Sequence, residues 1–315
     1  MKWLLIASML CSSVAFARPI IVGSKKFTES VILGEVALLS LKHAQLEAQH
    51  RPEFGGTRIL WNALKSGDID VYPEYSGTII EEILRRPVNT FEEMRELLAM
   101  EGIGVGPRLG FNNTYALGVR RERALELGIS KISDLARFPE LRFGLSSEFR
   151  QRKDGWPGLR QKYGLPHRNV RGLDHDVAYR AMEQSDIEVV DLYSTDAEIP
   201  YYGLVVLQDE LNYFPRYDAV FLYRLPVQKQ VAPVLDKLEG KITEEVMIAL
   251  NRRAKIDKIA SNRVAQEFLL KEMDEVVVIK TGSRQERLWR TSREHFTLVC
   301  LSMFFAIFAA IPLGV

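Results

Sequence analysis

Cysteine is almost missing from this chain: Cys11 and Cys300 are the only two in 315 residues, and both fall in apolar terminal stretches. A disulfide framework and a cysteine-based metal site are therefore excluded for the body of the protein. A surplus of either charge is missing too, since 42 Lys and Arg stand against 41 Asp and Glu. General affinity for nucleic acid or for an anionic membrane face needs a clear basic excess, so neither is expected. Enzyme signatures are also thin. His43, His50, His167, His175 and His295 form no HExxH spacing, and His167 and His175 sit in Arg- and Asp-rich sequence that reads as solvated loop. Ser146-Ser147-Glu148 lacks the G-x-S-x-G setting of a nucleophile elbow. Gly102-Ile103-Gly104-Val105-Gly106 runs on to Pro107 and Gly110 instead of opening a helix, which excludes a dinucleotide loop. Asp68, Asp70 and Glu74 are spaced for a turn and the start of a strand, not for a calcium loop. No catalytic residue, metal or cofactor is expected.

What is present is ordinary globular material, 47% hydrophobic and 26% charged, long enough for roughly two domains. The ends differ from the body. Lys2, the apolar run Trp3 to Leu10 and the small-residue pattern Ala15-Phe16-Ala17 predict a signal peptide over residues 1–17. The run is too short for a membrane anchor of ~20 residues, and Leu10 stands where a lipidated cysteine needs a small neighbour. At the other end, Phe296 to Val315 holds twenty residues without a charge, enough to cross ~30 Å of hydrocarbon. A transmembrane helix is expected over 296–315. Arg284, Arg287, Arg290 and Arg293 precede it and oppose the positive-inside tendency if the body is exported, but large exported domains cross largely regardless of loop charge.

Within the body, apolar β-branched runs alternate with helical periodicity. Strands are expected at Pro19–Gly23, Ile69–Tyr72, Ile103–Val105, Tyr115–Val119, Arg142–Leu145, Val189–Leu192 and Leu204–Leu207. Helices are expected after Thr28 as a cap, from Gly55-Gly56-Thr57 to Gly67, over Thr78–Leu84 and over Thr90–Met100. Such alternation argues for an α/β fold with mostly parallel sheet. No Pro/Ser-rich linker divides the body, so two lobes would be joined without a flexible tether and would leave a cleft for a ligand between them.

The tyrosines are the informative residues. Four of them end or follow apolar runs beside small polar residues: Pro73-Glu74-Tyr75-Ser76-Gly77-Thr78, Asn112-Asn113-Thr114-Tyr115, Asp191-Leu192-Tyr193-Ser194-Thr195-Asp196 and Phe214-Pro215-Arg216-Tyr217. Any one tyrosine so placed is accounted for by core packing with its hydroxyl bonded. Four in one kind of setting point to a cation, because aromatic faces attract positive charge through the ring quadrupole, each contributing ~0.5–2 kcal/mol when desolvated. A methylated ammonium has no N–H to donate, which makes ring faces the efficient way to hold it.

These segments, together with Val22-Gly23-Ser24-Lys25-Lys26-Phe27-Thr28-Glu29, Gly55-Gly56-Thr57 and Arg152-Lys153-Asp154-Gly155-Trp156-Pro157-Gly158-Leu159, occur in an order and spacing that resemble the substrate-binding proteins of glycine betaine/choline ABC importers. The resemblance covers about residues 19–280. The tail from Glu294 to Gly314 resembles the first span of the partner permease. The resemblance implies a two-lobed periplasmic binding protein of type II, α/β with mixed sheets flanked by helices. Lobe one would comprise 19–110 and 218–280, and lobe two 111–217.

Carried over by position, Tyr75, Tyr115, Tyr193 and Tyr217 would cage the quaternary ammonium, while Lys25, Thr78 and Arg152 would hold a carboxylate if the ligand has one. A point charge, a hydroxyl and a planar fork suit that group. Arg150 competes with Arg152, and the Arg-x-Asp-Gly spacing favours Arg152. Two departures stand out. Asn113 occupies a position where some relatives carry Asp, and Ser76 replaces Thr. The implied function is that of a non-enzymatic solute receptor, periplasmic or otherwise extracytoplasmic and attached to the cytoplasmic membrane. It would work with an ABC permease, in the same chain if the terminal span belongs to it, and an ATPase subunit. Expected ligands are glycine betaine, choline, carnitine or a related betaine such as ergothioneine. The competing classes are an exported receptor for another amino-acid-like solute and a membrane-anchored sensor domain.

Overall fold

The computed structural model describes residues 18–168 and 170–273, together with residues 292, 296, 297 and 299–303. The expected signal peptide over 1–17 and most of the expected span over 296–315 lie outside the described residues. Among the described residues, no helix is long and apolar enough to cross a membrane.

The first lobe runs β1 (Ile20–Lys25), α1 (Thr28–His43), β2 (Ala48–Gly55), α2 (Thr57–Ser66), β3 (Val71–Tyr75), the single turn α3 (Ser76–Thr78), a π-helical stretch (Ile79–Leu84), α4 (Phe91–Met100) and β4 (Ile103–Val105). The chain then crosses to β5 (Tyr115–Arg120), α5 (Arg121–Leu127), β6 (Phe143–Ser146), α6 (Ser147–Gln151), α7 (Trp156–Tyr163), β7 (Val170–Leu173), α8 (His175–Glu183), β8 (Val189–Tyr193), α9 (Glu198–Tyr201) and β9 (Leu204–Val206). It returns through β10 (Ala219–Arg224) to α10 (Gln228–Leu235), α11 (Glu244–Lys255) and α12 (Ser261–Glu272).

Two five-stranded sheets result, ordered β2-β1-β3-β10-β4 and β7-β6-β8-β5-β9. The expectation of mostly parallel sheet is corrected. β1 and β6 pair in parallel with both neighbours, but β10 runs against β3 and β4, and β5 against β8 and β9. The two antiparallel strands are those that reach a sheet directly from the other lobe. They have no crossover helix to turn the chain round, and parallel pairing needs one.

Local chemistry explains most of the boundaries. α1 is apolar on all sides, not along one stripe, and eleven of its sixteen residues are buried, because β1, β2, α11 and α12 surround it. Thr28 is its first helical residue and not its cap: Phe27 takes that place without a side-chain bond. Thr90 does cap α4, accepting from the Glu93 N–H at 3.0 Å. Gly67 ends α2 in the left-handed region at φ 85°, where a side chain would be strained. The crossings at 106–114 and 207–218 meet at an antiparallel bridge between Asn112 and Asp218, and the second contains a turn at Glu210 and Leu211. Asn113 N–H donates to the Tyr217 carbonyl at 3.1 Å, and Tyr217 N–H donates to Asn112 Oδ1 at 2.6 Å.

The core of the first lobe gathers Leu60, Leu64, Ile69, Tyr72, Val220 and Leu222. The second sheet is covered on both faces, by a cluster around Leu117, Phe143, Phe149 and Leu159 and another around Tyr179, Met182 and Leu192. Asp70 fastens the first sheet. It is 1% exposed and accepts from Ile21 N–H (2.9 Å), Arg18 Nη2 (2.6 Å) and Arg224 Nη1 (3.1 Å). Asp70→Ala leaves a buried N–H and two guanidinium groups without that acceptor, and should cost about 2–3 kcal/mol. Urea denaturation should show a lower midpoint at unchanged slope. A midpoint equal to wild type would remove Asp70 from this role.

Candidate functional site: a tyrosine-lined cleft between the lobes

All eight residues singled out from the sequence line one cavity of about 200 Å³ between the lobes. Lys25 ends β1, Tyr75 ends β3, Thr78 closes α3, Tyr115 opens β5 and Tyr193 ends β8. Asn113 and Tyr217 come from the two crossings, and Arg152 follows α6. The carboxyl ends of parallel strands open onto such crevices, which is why strand-terminal tyrosines meet there. Tyr115 and Tyr193 are direct cross-strand partners, with ring centroids 5.0 Å apart. Tyr217 stands edge-on to Tyr115 at 5.6 Å and 90°. Its ring lies against the backbone of Gly77, where a Cβ would come within 2.5 Å of Tyr217 Cδ1, so only glycine fits beside it.

Two of these rings are held by their hydroxyls. Tyr75 donates to Glu29 Oε1 at 2.5 Å, and Tyr217 donates to Asp154 Oδ2 at 2.5 Å. Asp154 is in turn gripped by Arg152, through Nε at 2.8 Å and through Nη2. Burial first, then the neighbouring acids, push both phenols well above their ordinary range, so the rings stay neutral.

Of the three expected carboxylate holders, the two cations, Lys25 and Arg152, are already paired. Lys25 Nζ lies 2.5 Å from Glu74 Oε1, both buried, and 5.4 Å from the centre of the Tyr75 ring. Arg152 is bound to Asp154 and sits 5.6 Å from the centre of the Tyr115 ring. An ammonium has three donors and a guanidinium five, so each retains N–H groups for a ligand, but the net positive charge at that end is cancelled. Arg150 projects over Gly172 on β7 and does not line the cavity.

Several residues of the cleft escaped the sequence reading. Glu29, in the first turn of α1, is 7% exposed and is the hub of the site. Its Oε1 accepts from Tyr75 and from Asn113 Nδ2 (2.8 Å), and its Oε2 from Thr195 Oγ1 (2.6 Å) and Asn251 Nδ2 (2.8 Å). Burial raises its pKa, against hydrogen bonds from Thr195, Tyr75 and Asn251 that lower it and with Asp196 adding repulsion. Asn113 thus holds a carboxylate that comes from α1. The only sequence signal was an acid opening an apolar helix, which the helix dipole explains without any ligand.

The lobes are also tied across the cleft. Lys255 of α11 meets Asp176 (2.8 Å) and Glu198 (2.7 Å), Lys26 faces Asp174 at 3.9 Å, and Asn251 Nδ2 donates to the Thr195 carbonyl at 3.0 Å. Among the described residues, no group of His, Cys, Asp and Glu is arranged to hold a metal.

His167 and His175 are not solvated loop residues as expected; both are buried. His167 packs 4.4 Å from the Phe143 ring and bonds the Phe138 carbonyl at 2.9 Å, and burial lowers its pKa. His175 opens α8, 4.8 Å from the Tyr193 ring, with Nε2 2.9 Å from Asp196 Oδ2. Burial opposes its charge, but the charge and hydrogen bond of Asp196, with help from Asp191, push its pKa up to about 9 from 6.5. The stabilisation it provides is therefore complete below pH 6.5 and disappears as pH rises through about 9. Across that window wild-type unfolding free energy should fall more than that of His175→Gln, as read by urea denaturation at both ends. Equal losses would mean that His175 is uncharged in the fold.

Residues 18–271 match the family described as "Substrate binding domain of ABC-type glycine betaine transport system". The chain is 33% identical over 262 residues to the Helicobacter pylori (strain G27) "Ergothioneine transport permease/ergothioneine binding protein", an alignment covering 80% of this chain and 47% of that relative. It therefore spans about half the length of that protein. It is 29% identical to a Pseudomonas aeruginosa "Glycine-betaine-binding protein", covering 84% and 91% of the two chains. Among solved structures, a "glycine betaine/carnitine/choline ABC transporter" protein superposes with a TM-score of 0.67 at 28% identity, over 81% of this chain and 98% of the other. With two lobes, an intervening cleft and a family match over most of its length, the chain belongs to the substrate-binding domains of ABC-type glycine betaine transport systems, which are receptors and not enzymes.

Proposed function

We propose that this receptor captures a quaternary ammonium solute, such as glycine betaine, choline, carnitine or ergothioneine, on the outer side of the cytoplasmic membrane. It would hand the solute to an ABC permease driven by an ATPase subunit. The observation that carries this reading is the convergence of Tyr75, Tyr115, Tyr193 and Tyr217, drawn from three strands and a crossing, on one cavity. The ligands in the names of the relatives above belong to the same chemical class.

In this reading the four rings seat the methylated head, and Asn113 steadies the wall beside it. Lys25, Thr78 and Arg152 offer their remaining donors to a carboxylate at the other end. Lobe one, 19–110 with 218–280, and lobe two, 111–217, close about the paired crossings as a hinge. Residues 1–17 direct export, and the uncharged stretch 296–315 serves as a membrane span joining the receptor to its permease. Four ring faces at the upper end of their range contribute ~8 kcal/mol before ordering costs, consistent with micromolar affinity.

Calorimetry of the purified protein with glycine betaine, choline, carnitine and ergothioneine should find micromolar binding by at least one of them. Binding by none would overturn the ligand class. Tyr75→Ala and Tyr193→Ala should each weaken binding by about 1–2 kcal/mol or more, Tyr193→Phe by far less because the ring face remains. Tyr201→Ala, at an exposed tyrosine outside this cavity, should have no effect. Unchanged affinity in both alanine variants would place the cage elsewhere.

A further inference from the structure

Resting on the reading of the cleft as a quaternary ammonium site, we propose that Glu29 is the counter-ion of the bound ammonium and so sets the preference for a charged over a neutral ligand head. The observation is a mismatch of charge. Each cation lining the cavity has an acidic partner: Lys25 has Glu74, Arg152 has Asp154, His175 has Asp196, Lys26 has Asp174, and Lys255 has Asp176 and Glu198. Glu29 lines the same cavity, is nearly fully buried, and has no cationic partner among the described residues. Its four hydrogen bonds all come from neutral groups: a phenol, two amides and a hydroxyl. A buried carboxylate without a counter-charge is costly, and four neutral donors offset that cost only in part. A permanent cation that brings no proton supplies the missing charge without competing for the lone pairs already in use. Glu148, the other lining acid without a cationic partner among the described residues, is half-buried, where water screens it.

The donors also link charge to closure. Glu29, Tyr75 and Asn251 belong to the first lobe, Thr195 follows β8 of the second, and Asn113 lies on a crossing. Parting of the lobes separates Glu29 from Thr195, so the carboxylate is fully held only while the cleft is shut.

Choline and its neutral carbon analogue 3,3-dimethylbutanol have the same shape and differ in charge, so their affinity ratio isolates the electrostatic role. Glu29→Gln keeps the size and should lower the ratio at least tenfold, mainly through weaker choline binding, with binding of the neutral analogue changing little. Glu29→Gln combined with Asn113→Asp moves the carboxylate across the 2.8 Å contact between these side chains and should restore most of the wild-type ratio. A Glu29→Gln protein that is folded by thermal melt and keeps the wild-type ratio would overturn the proposal. Should Glu29→Gln not fold, the double variant carries the test, and loss of the ratio there overturns it. If the wild-type protein binds neither choline nor any betaine, it is the reading of the cleft itself that fails, an outcome distinct from either of these.

Discussion

A phenol ring can offer its face to a ligand only when its hydroxyl is satisfied elsewhere, because a buried O–H without a partner is costly. In this protein buried acids meet that requirement. Glu29 takes the hydroxyl of Tyr75, Asp154 that of Tyr217, and Asp196 that of Tyr179 behind the wall of the cleft. Asp154 is fixed by Arg152, and Asp196 by His175 and by the Tyr193 N–H. The rings of Tyr75 and Tyr217 are therefore positioned by a surrounding layer of ion pairs and hydrogen bonds, and a ligand need not organise them on arrival.

That arrangement has an electrostatic consequence. Asp154 and Asp196 also offset the charges of Arg152 and His175, and Glu74 that of Lys25, so these lining cations bring little net charge to the cleft. Glu29 stands apart from these pairs, with no cationic partner among the described residues. Under the function proposed above, that imbalance favours a permanently cationic head and leaves a ligand carboxylate optional.

Much of the frame was legible in local pattern. β4 and β5 begin where the apolar runs predict, α2 stops at Gly67, and α4 ends at Met100. The edge strands β2 and β7 escaped notice because AQHRPEFG and VRGL carry polar, exposed side chains and show no buried face to read. The helix expected over Thr78–Leu84 is a single α-turn running into a π-helical stretch, which side-chain periodicity does not distinguish from an ordinary helix. The antiparallel insertion of β5 and β10 depends on which lobe the chain has just left, information that no window of sequence contains. Arg- and Asp-rich surroundings suggested solvent for His167 and His175, yet both are buried, and the acid that pairs with His175 is Asp196, 21 positions away, not its neighbours Asp174 and Asp176.

By itself the sequence determined the alternation of elements, the family and the set of tyrosines, because these are written in short runs where neighbours along the chain are neighbours in space. Only the tertiary structure decided which charges face one another. Glu29 meets Tyr75, Asn113, Thr195 and Asn251 across separations of up to 222 positions, so its lack of a counter-charge among the described residues is a property of the assembled cleft and not of any segment.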